Sequence, residues 1–458
     1  MHEETGTKSE SKSWTANSAP LPVLLLAYSP ADSESMADRW PLTEELTIGR
    51  KRPATLIIAD KYLSKPHFRI TPDNESFYVE DMNSSNETFI NGMPLVGRQK
   101  LRDSDVVRAG RSIFVFHEDG EPLLAPSPPD IYGIGGRFHV APLLKEIRRY
   151  SNSHSHVLLS GPSGSGKELA AAALAKMSRR ELIIHNVARL RSDSSAEATL
   201  FGVGPKVFTD VGERAGLIEL ADNKTLFLDE AHALPHSVQR MMLRVMEDWC
   251  LTRVGETETR KVDVRFIMAS NDLSSPDFGI ATDLLNRMRV VKIPSLQERV
   301  ADIPSIFRYL LQIRLEEAGI DAAPVFEKFF TDTYECLCLD GFEKENTRGL
   351  IRLVDDIIVE LKNGVLPDNA IRKVFTQHYK KSLVLCRKKR VTEKTAKILE
   401  TFRLESDTLD LIKDIYYEKR GIITAVVEEL REHDVKTSHR RVGKIIDALG
   451  LQRAKRQR

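Results

Sequence analysis

Cysteine is scarce in this sequence, and its few positions suggest no cross-link or metal site. Cys250, Cys336, Cys338 and Cys386 include no C-x-x-C pair, and no His/Cys cluster has the spacing of zinc ligands. We therefore expect reduced thiols, a reducing compartment and no structural zinc.

Long apolar runs are missing as well. No window approaches the roughly 18 consecutive apolar residues of a membrane-spanning helix. The first residues, MHEETGTKSESKSW, lack the apolar centre of a signal peptide. These two absences lead us to expect a cytoplasmic protein that does not enter the membrane.

Charge of neither sign is in excess. The formal net charge is +1 over 458 residues, so any surface that attracts nucleic acid must be local. An apolar share of 41% and a charged share of 29% are ordinary for soluble globular proteins. The length is enough for about three domains.

The first part of the chain has the rhythm of an all-β domain. After residues 1–20, which we expect to be a disordered tail, short apolar runs such as VLLLAYS, HFRI and IFVF alternate with turn residues through residues 21–118. The proline-rich stretch 119–130 that follows is typical of a linker.

A different rhythm begins at residue 131. Buried-type strands such as HVLLSG, TLFLDE and VRFIMAS alternate with helical stretches, which predicts a parallel α/β sheet over residues 131–302. Residues 303–365 have helical patterns. We expect a basic linker at 366–403 and a helical domain at 404–458.

One glycine-rich stretch has the spacing of a phosphate-binding loop. Gly161-Pro-Ser-Gly-Ser-Gly-Lys167 fits G-x-x-x-x-G-K between a strand and a helix, which is the context that a P-loop requires. Backbone N–H groups and the helix N-terminus would bind phosphates of ATP, and Lys167 would reach the outer ones. The expected nucleotide contacts are Gly161, Pro162, Ser163, Gly164, Ser165, Gly166, Lys167 and Glu168.

Two carboxylates follow a later apolar strand. Asp229 and Glu230 end the run TLFLDE, and ligands of open α/β sheets bind at the carboxyl ends of the strands. We predict that Asp229 holds Mg²⁺ and that Glu230 polarises the attacking water. Asn271, at the end of VRFIMAS, is suited to sensing the γ-phosphate.

These motifs together resemble one family. GPSGSGKE, the segment ELADNKTLFLDEAHALPHSVQRMMLRVMEDWCLTRVG, KVDVRFIMASND and LQERVADIP resemble the AAA+ ATPase core of bacterial enhancer-binding proteins, the sigma-54 activators. The resemblance covers roughly residues 131–365 and makes residues 303–365 the helical ATPase lid. In that family Glu regularly follows the P-loop lysine, as Glu168 does here.

The resemblance implies further residue roles and an assembly. Asn186 resembles the asparagine that restrains the catalytic glutamate, Arg287 resembles an arginine finger acting in trans, and Arg348 resembles the lid arginine that senses nucleotide. Because each active site then needs an arginine from its neighbour, the resemblance implies a homo-oligomer, usually a hexamer. Ala281 stands where the family often has another arginine.

The family contacts sigma-54 through a loop that reads GAFTGA. The aligned stretch here is KVFTDV, which retains Phe208 and Thr209 as the expected sigma-contact residues. Lys206 and Asp210 replace the two flanking glycines, which would give such a loop its tight, mobile backbone. This departure favours an alternative in which the chain binds ATP without acting on RNA polymerase that carries sigma-54.

The β-rich segment also resembles a known module. Gly49-Arg50, Ser64-Lys-Pro-His67 and Ser85-Asn-Glu-Thr-Phe-Ile-Asn-Gly92 are similar to the motifs of forkhead-associated domains, which bind phosphothreonine. Arginine offers a forked, charge-assisted grip on phosphate. The expected phosphopeptide-binding residues are Arg50, Ser64, Lys65, Ser85 and Asn86. His67 and Asn91 are expected to brace the loops, and Glu87, in place of a family glycine, would repel phosphate.

The last segment predicts two amphipathic helices separated by EHDVKTS. Apolar residues recur at helical spacing from Ile423 to Leu430 and from Val442 to Leu449. With Thr437 or Ser438 as N-cap, this is typical of either a helix-turn-helix or a small basic bundle. The position behind an enhancer-binding ATPase favours DNA binding, by family analogy. The expected DNA contacts are Thr437, Ser438, His439, Arg440, Arg441 and Lys444.

Together the patterns predict a multidomain fold: a β-sandwich, an α/β P-loop ATPase with a helical lid, and an all-α helix-turn-helix. The expected function is ATP-dependent transcription regulation of the sigma-54 activator type, under the control of a phosphothreonine-containing protein partner. The alternative is a DNA-bound phosphopeptide sensor that uses nucleotide without remodelling the sigma-54 polymerase.

Overall fold

The computed structural model describes the greater part of the chain. The described residues are 20–30, 38–74, 76–128, 132–190, 192–205, 213–271, 279–342, 344–379, 401–402, 412, 415–416, 423–432 and 437–448. Within these ranges, no helix combines the length and the apolar character that a membrane span requires.

The N-terminal domain is a sandwich of two β-sheets, as the sequence predicted. Its strands are β1 (Val23–Tyr28), β2 (Arg39–Pro41), β3 (Leu46–Gly49), β4 (Leu56–Ile57), β5 (Phe68–Asp73), β6 (Ser76–Asp81), β7 (Thr88–Ile90), β8 (Met93–Pro94), β9 (Arg98–Lys100), β10 (Val106–Ala109) and β11 (Ser112–His117). One sheet has the order β2-β1-β11-β10-β7-β8 and the other β4-β3-β5-β6-β9. All pairs are antiparallel except β3 with β4.

The first of these sheets is buried on both faces. Leu24 and Phe114 lie in the core between the two sheets. Their strand neighbours Leu25 and Val115 belong to a second core on the opposite face. A strand with both faces buried needs apolar residues at successive positions, which is why β1 reads VLLLAY and β11 reads SIFVFH.

The central domain is built on a parallel sheet in the order β13-β16-β19-β12-β20. The strands of this domain are β12 (His156–Ser160), β13 (Leu182–Asn186), β14 (Gly202–Val203), β15 (Arg214–Ala215), β16 (Thr225–Asp229), β17 (Cys250–Thr252), β18 (Thr259–Lys261), β19 (Arg265–Ser270) and β20 (Met288–Lys292). Its helices are α1 (Val140–Ser151), α2 (Lys167–Met177), α3 (Asp193–Phe201), α4 (Leu217–Leu220), α5 (His236–Asp248) and α6 (Thr282–Asn286). Helices pack on both faces of this sheet, in two apolar cores, as the successive buried residues of β12, β16 and β19 require.

A helical lid follows the sheet. Its helices are α7 (Ile303–Ala318), α8 (Ala323–Phe326), α9 (Thr331–Asp340), α10 (Thr347–Lys362) and α11 (Pro367–His378). The expected lid boundary at residue 365 is too early, because α11 begins with Pro367 in its first turn and buries Ile371, Val374 and Phe375 in the lid core. Pro367 is a favourable first residue of a helix.

The end of the chain contains two described helices, α12 (Ile423–Glu432) and α13 (His439–Ala448). Val427 and Leu430 of α12 pack against Val442 and Ile446 of α13, and Ile415 completes this small core. The expected pair of amphipathic helices is therefore present, and the turn between them, residues 433–436, lies outside the described residues.

His67 holds together two loops at one end of the β-sandwich. Its Nδ1 accepts a hydrogen bond from the Ser64 N–H at 2.9 Å, and its Nε2 lies 3.1 Å from the Glu87 carbonyl oxygen. This pairing requires the neutral ring with the proton on Nε2. Burial lowers the pKa of His67 to about 4, and the bond to Glu87 only partly opposes this. The ring is therefore neutral in the folded domain at pH 7.

The depressed pKa of His67 predicts a pH-dependent stability. In the unfolded chain the imidazole takes up its proton near the ordinary pKa of about 6.5. The contribution of the neutral His67 ring to the free energy of unfolding is thus complete above pH 6.5. It is lost as the pH falls toward 4. We expect the Tm of the full chain to fall by several degrees across this window. His67→Asn should lower the Tm at pH 7 and flatten this part of the pH profile; an unchanged profile would contradict the assignment.

Candidate functional site

The P-loop lies between β12 and α2, as its motif predicts. Gly164 and Gly166 have φ angles of +76° and +101°, which favour glycine. A Cβ on Gly164 would lie 2.6 Å from the Glu345 carbonyl oxygen, so the lid approaches the loop too closely for any side chain there. The hydroxyl of Ser165 is buried and has no hydrogen-bond partner among the described residues. A polar ligand in the loop would satisfy it.

Lys167 lies over this loop. Its Nζ donates to the carbonyl oxygens of Gly161 at 2.8 Å and Pro162 at 3.1 Å. Burial lowers the pKa of Lys167, while the nearby carboxylates of Asp229 and Glu230 act in the opposite direction. The three side chains expected to handle phosphate and magnesium are therefore close enough to interact electrostatically.

The two carboxylates stand at the carboxyl end of β16, which lies between β13 and β19 in the sheet. Asp229 Oδ1 accepts the Glu230 N–H at 3.0 Å, and Glu230 itself has a left-handed backbone with φ of 54°. This conformation turns the chain sharply at the strand end. Mg²⁺ in nucleotide sites is usually held by one or two carboxylates together with phosphate oxygens, and Asp229 fits that requirement.

Asn186 contacts a different carboxylate from the one expected. It ends β13 directly beside Asp229 in the parallel register, and its Nδ2 donates to Asp229 Oδ2 at 3.5 Å. Its Oδ1 accepts the Ala188 N–H at 3.0 Å. Among the described residues no hydrogen bond joins Asn186 to Glu230. The strand register, which the sequence does not reveal, directs the amide to the preceding residue.

The lid contacts the P-loop through the start of α10. Arg348 Nη1 donates to Ser163 Oγ at 2.6 Å, which brings the predicted sensing arginine to the loop. Asn346, which sequence reasoning missed, is buried with φ of 49° and ψ of −135°. Its Nδ2 donates to the Ser163 carbonyl at 3.1 Å, and its Oδ1 accepts the Leu296 N–H at 2.9 Å. Its position two residues before Arg348 was the one available signal.

The predicted arginine finger is on the surface. Arg287 directly follows α6 as its C-cap. Its side chain is 57% exposed, and its Nη2 lies 2.5 Å from Glu247 Oε1 of α5. An exposed ion pair of this kind contributes little to stability, so the guanidinium can leave it for another partner. Asn271 directly follows β19 and is exposed. Phe208 and Thr209 lie outside the described residues.

The predicted phosphate-binding residues of the β-sandwich are on three neighbouring loops. Arg50 N donates to the Ser64 carbonyl at 2.8 Å, and Ser64 Oγ accepts the Ser85 N–H at 3.0 Å. A Cβ at Gly49 would lie 1.8 Å from the Lys65 carbonyl oxygen, so the Gly-Arg motif is needed for this close approach. Lys65 itself is exposed beside them.

Arg50 and Asn86 also have specific partners within these loops. Arg50 Nη1 donates to the Lys61 carbonyl at 3.3 Å, and Asn86 Nδ2 donates to the Tyr62 carbonyl at 2.7 Å. Asn91 braces the domain through Asp105 and Val106, as expected. Glu87 has φ of 58°, so the family's glycine is the residue that best suits this backbone.

The second helix of the C-terminal pair presents a basic face. His439, Arg440 and Lys444 are exposed on α13. Ser438 is the N-cap, since its Oγ accepts the Arg441 N–H at 3.3 Å. The Arg441 guanidinium donates to the Phe402 carbonyl at 2.5 Å, so it binds its own domain rather than pointing away from it, as a DNA contact would. Thr437 is half-buried in front of the helix.

Comparison with protein families identifies two segments of the chain. Residues 134–294 match the model described as the sigma-54 interaction domain, and residues 46–110 match the model described as the FHA domain. Both segments coincide with the domains to which the sequence motifs pointed.

Several curated transcription regulators are similar over the central domain. The DNA-binding transcriptional regulator NtrC of Klebsiella pneumoniae is 37% identical over 230 residues, which cover 48% of this chain and 49% of NtrC. The anaerobic nitric oxide reductase transcription regulator NorR of Serratia proteamaculans is 39% identical over 204 residues, covering 42% of this chain and 40% of NorR. The match thus spans about half the length of NtrC and a smaller share of NorR.

Solved structures give similar alignments. NtrX from Brucella abortus in complex with ADP is 21% identical with a TM-score of 0.44, covering 69% of this chain and 70% of NtrX. An FHA domain from a study of phosphothreonine-dependent interactions is 28% identical with a TM-score of 0.19, covering 21% of this chain and 95% of that domain. From the matched segments, the chain carries an FHA domain followed by a sigma-54 interaction domain, which is an ATPase domain of the AAA+ class.

Proposed function

We propose that this protein is a transcription regulator that hydrolyses ATP, binds DNA through α13 and is controlled by a phosphothreonine-containing protein. The observation that carries the proposal is the convergence of Lys167, Asp229 and Glu230 at the carboxyl edge of the sheet, under a lid that brings Arg348 to the P-loop. Each of these groups has a distinct task in phosphoryl transfer.

In this mechanism the P-loop and Lys167 bind the phosphates, and Asp229 holds Mg²⁺, which when bound neutralises charge on the β- and γ-phosphates. Glu230 orients the attacking water and accepts its proton. Asn186 fixes the Asp229 carboxylate through their hydrogen bond. Arg287 leaves Glu247 and enters the site of a neighbouring copy, which requires a homo-oligomer, most simply a hexameric ring.

The target of this ATPase has two candidates. Action on RNA polymerase with sigma-54 is supported by the matched interaction domain and by Phe208 and Thr209. The alternative, a DNA-bound phosphopeptide sensor that does not remodel that polymerase, is favoured by Lys206 and Asp210 in place of the loop glycines. Transcription from a sigma-54 promoter with purified components separates them: ATP-dependent open complexes support the first, and their absence alongside intact ATPase activity supports the second.

The ATPase prediction concerns Glu230. We expect Glu230→Gln to bind ATP as the wild type does, because the amide keeps the shape of the side chain, but to hydrolyse it about 10²–10⁴-fold more slowly without the base. Glu181→Gln is the matched control, since Glu181 precedes β13 at the amino ends of the strands, away from Glu230. Turnover should be measured over a range of protein concentrations, and a rise in specific activity is expected if Arg287 acts in trans. Equal turnover in Glu230→Gln would remove this residue from the mechanism.

The proposed phosphopeptide site of the FHA domain leads to a second prediction. The full chain should bind phosphothreonine peptides selected from a random library. Unphosphorylated peptides of the same sequence should bind at least about tenfold more weakly, because charge-assisted hydrogen bonds are lost. Arg50→Ala should abolish this preference. Glu87→Gly should tighten binding, because it removes a negative charge and suits the left-handed backbone.

Arg69→Ala is the control for these variants, because Arg69 forms an exposed ion pair with Glu80 between β5 and β6 and makes no described contact with Arg50, Ser64 or Asn86. If Arg50→Ala and Arg69→Ala bind alike, the loops are a docking surface of another kind.

A third prediction distinguishes two neighbouring arginines. Arg440 is exposed and makes no described hydrogen bond, whereas Arg441 binds the Phe402 carbonyl. On a DNA fragment selected by the full chain, Arg440→Ala should weaken binding and reduce the slope of log K against log salt by about one. Arg431→Ala, on the preceding helix, serves as control. Arg441→Ala should instead lower the thermal stability of the domain, and a larger DNA effect from Arg441 than from Arg440 would reverse the assignment.

A further inference from the structure

The FHA domain is packed against the ATPase lid through one sheet face. Val23, Leu25 and Val115 of this sheet lie in the same buried core as Ile306 and Phe307 of lid helix α7. All five side chains are at most 3% exposed. The face that an independent β-sandwich would leave in water is therefore covered by another part of the same chain.

Polar and aromatic contacts fix the orientation of this packing. Arg108 Nε of β10 lies 2.9 Å from Glu335 Oε2 of lid helix α9, with side chains 11% and 1% exposed. Thr331 Oγ1 donates to the Arg111 carbonyl at 2.9 Å. The rings of Tyr28 and Tyr334 stack with centroids 4.1 Å apart. A buried ion pair and a stacked ring pair both tolerate only a narrow range of geometries.

The segment that joins the two domains is held by the FHA domain as well. Arg39 Nη2 donates to the Arg137 carbonyl at 2.8 Å and Nη1 to the Leu123 carbonyl at 3.2 Å. The guanidinium of Arg39 lies 5.0 Å from the centre of the Phe138 ring. The Arg137 side chain pairs in return with Asp38. The two ends of the connection are thus fixed to the same surface.

We propose that this sheet face is a permanent docking surface for the chain's own ATPase lid, so that the FHA domain and the lid move as one body and phosphopeptide and nucleotide alter each other's affinity. This inference rests on the proposed function of the two ligand sites. It goes beyond that function by naming the surface that couples them.

The coupling has a continuous physical route. At the FHA end, the Arg108 guanidinium lies 3.8 Å from the centre of the Phe89 ring, and Phe89 is two residues beyond Glu87 of the phosphate-binding loops. The same arginine binds Glu335 of the lid. At the other end the lid contacts the P-loop through Asn346 and Arg348, as described above. A rotation of the lid on the P-loop therefore carries the phosphopeptide site with it.

Linkage makes the coupling reciprocal. If the phosphopeptide changes ATP affinity by a given factor, ATP must change phosphopeptide affinity by the same factor. Couplings of this kind are commonly about 5–150-fold. A flexibly tethered FHA domain would give a factor of one in both directions.

The docking surface is tested by cutting the connection. A protease site inserted after Ser127 should be cleaved without separating the fragments, which should co-elute at the size of the uncut chain in native size-exclusion chromatography. Their apolar faces are covered only while they remain together. Separation of the two fragments under native conditions would overturn the proposal.

The coupling is tested with two ligands on the intact chain. The affinity for a selected phosphothreonine peptide should change at least about fivefold on addition of a non-hydrolysable ATP analogue, and the analogue's affinity should change by the same factor with peptide. Glu335→Gln, which weakens the pair with Arg108, should bring the factor toward one. Glu317→Gln, in an exposed ion pair with Arg314 on α7, should leave it unchanged.

The outcomes distinguish a failure of the coupling from a failure of the proposed function. If both ligands bind and the factor is one in the wild type, the coupling is wrong and the proposed function stands. If the peptide or the nucleotide fails to bind at all, the proposed function fails and the coupling with it. An equal loss of coupling in Glu335→Gln and Glu317→Gln would show that Arg108 and Glu335 are not the route.

Discussion

A single buried carboxylate, Asp302, ties the start of the lid to the residues that lead from the FHA domain into the ATPase sheet. Its two oxygens accept hydrogen bonds from the backbone N–H groups of Arg137, Phe138 and His139 and from the His139 ring. Asp302 immediately precedes lid helix α7, and the residues it binds join the FHA domain to the ATPase sheet. Together with the contacts of Arg39 and Glu335, this carboxylate fixes the angle at which linker, sheet and lid meet.

The stability of this junction depends on full hydrogen bonding of a charge that is wholly buried. Burial raises the pKa of Asp302, but the bonds from His139 and the linker outweigh it and lower the pKa to about 2. An unpaired carboxylate in this position would cost several kcal/mol, so each donor is needed. Gly136, with φ of 134°, leaves room for it, because a Cβ there would lie 3.0 Å from Asp302 Oδ2.

Local motifs were enough to propose the ligand sites because the chemistry of such sites is itself local. A P-loop needs glycines and a lysine within a few residues, so Gly161 to Lys167 were enough to predict a loop between a strand and a helix. Contacts between distant segments could not be predicted in the same way. The partner of Asn186 depends on strand register, and that of Arg441 depends on where Phe402 lies.

The burial of the FHA sheet on its second face is indicated in the sequence by apolar runs without alternation. Runs without alternation, such as VLLLAY, belong to strands with two buried faces, but such runs do not tell what covers the second face. The lid boundary failed for a related reason. The basic character of residues 366–403 suggests a linker, and only the packing of Phe375 in the lid core shows that their first part belongs to the lid.

The sheet that is buried on both faces has a consequence for how such a protein can evolve. A freely tethered sensor can be replaced by another through recombination, since its surface is complete in itself. Here the two surfaces are complementary halves of one interior, joined by Arg108 and Glu335. A substitution on either side constrains the other, so we expect the contacting residues of the FHA domain and of the lid to vary in step.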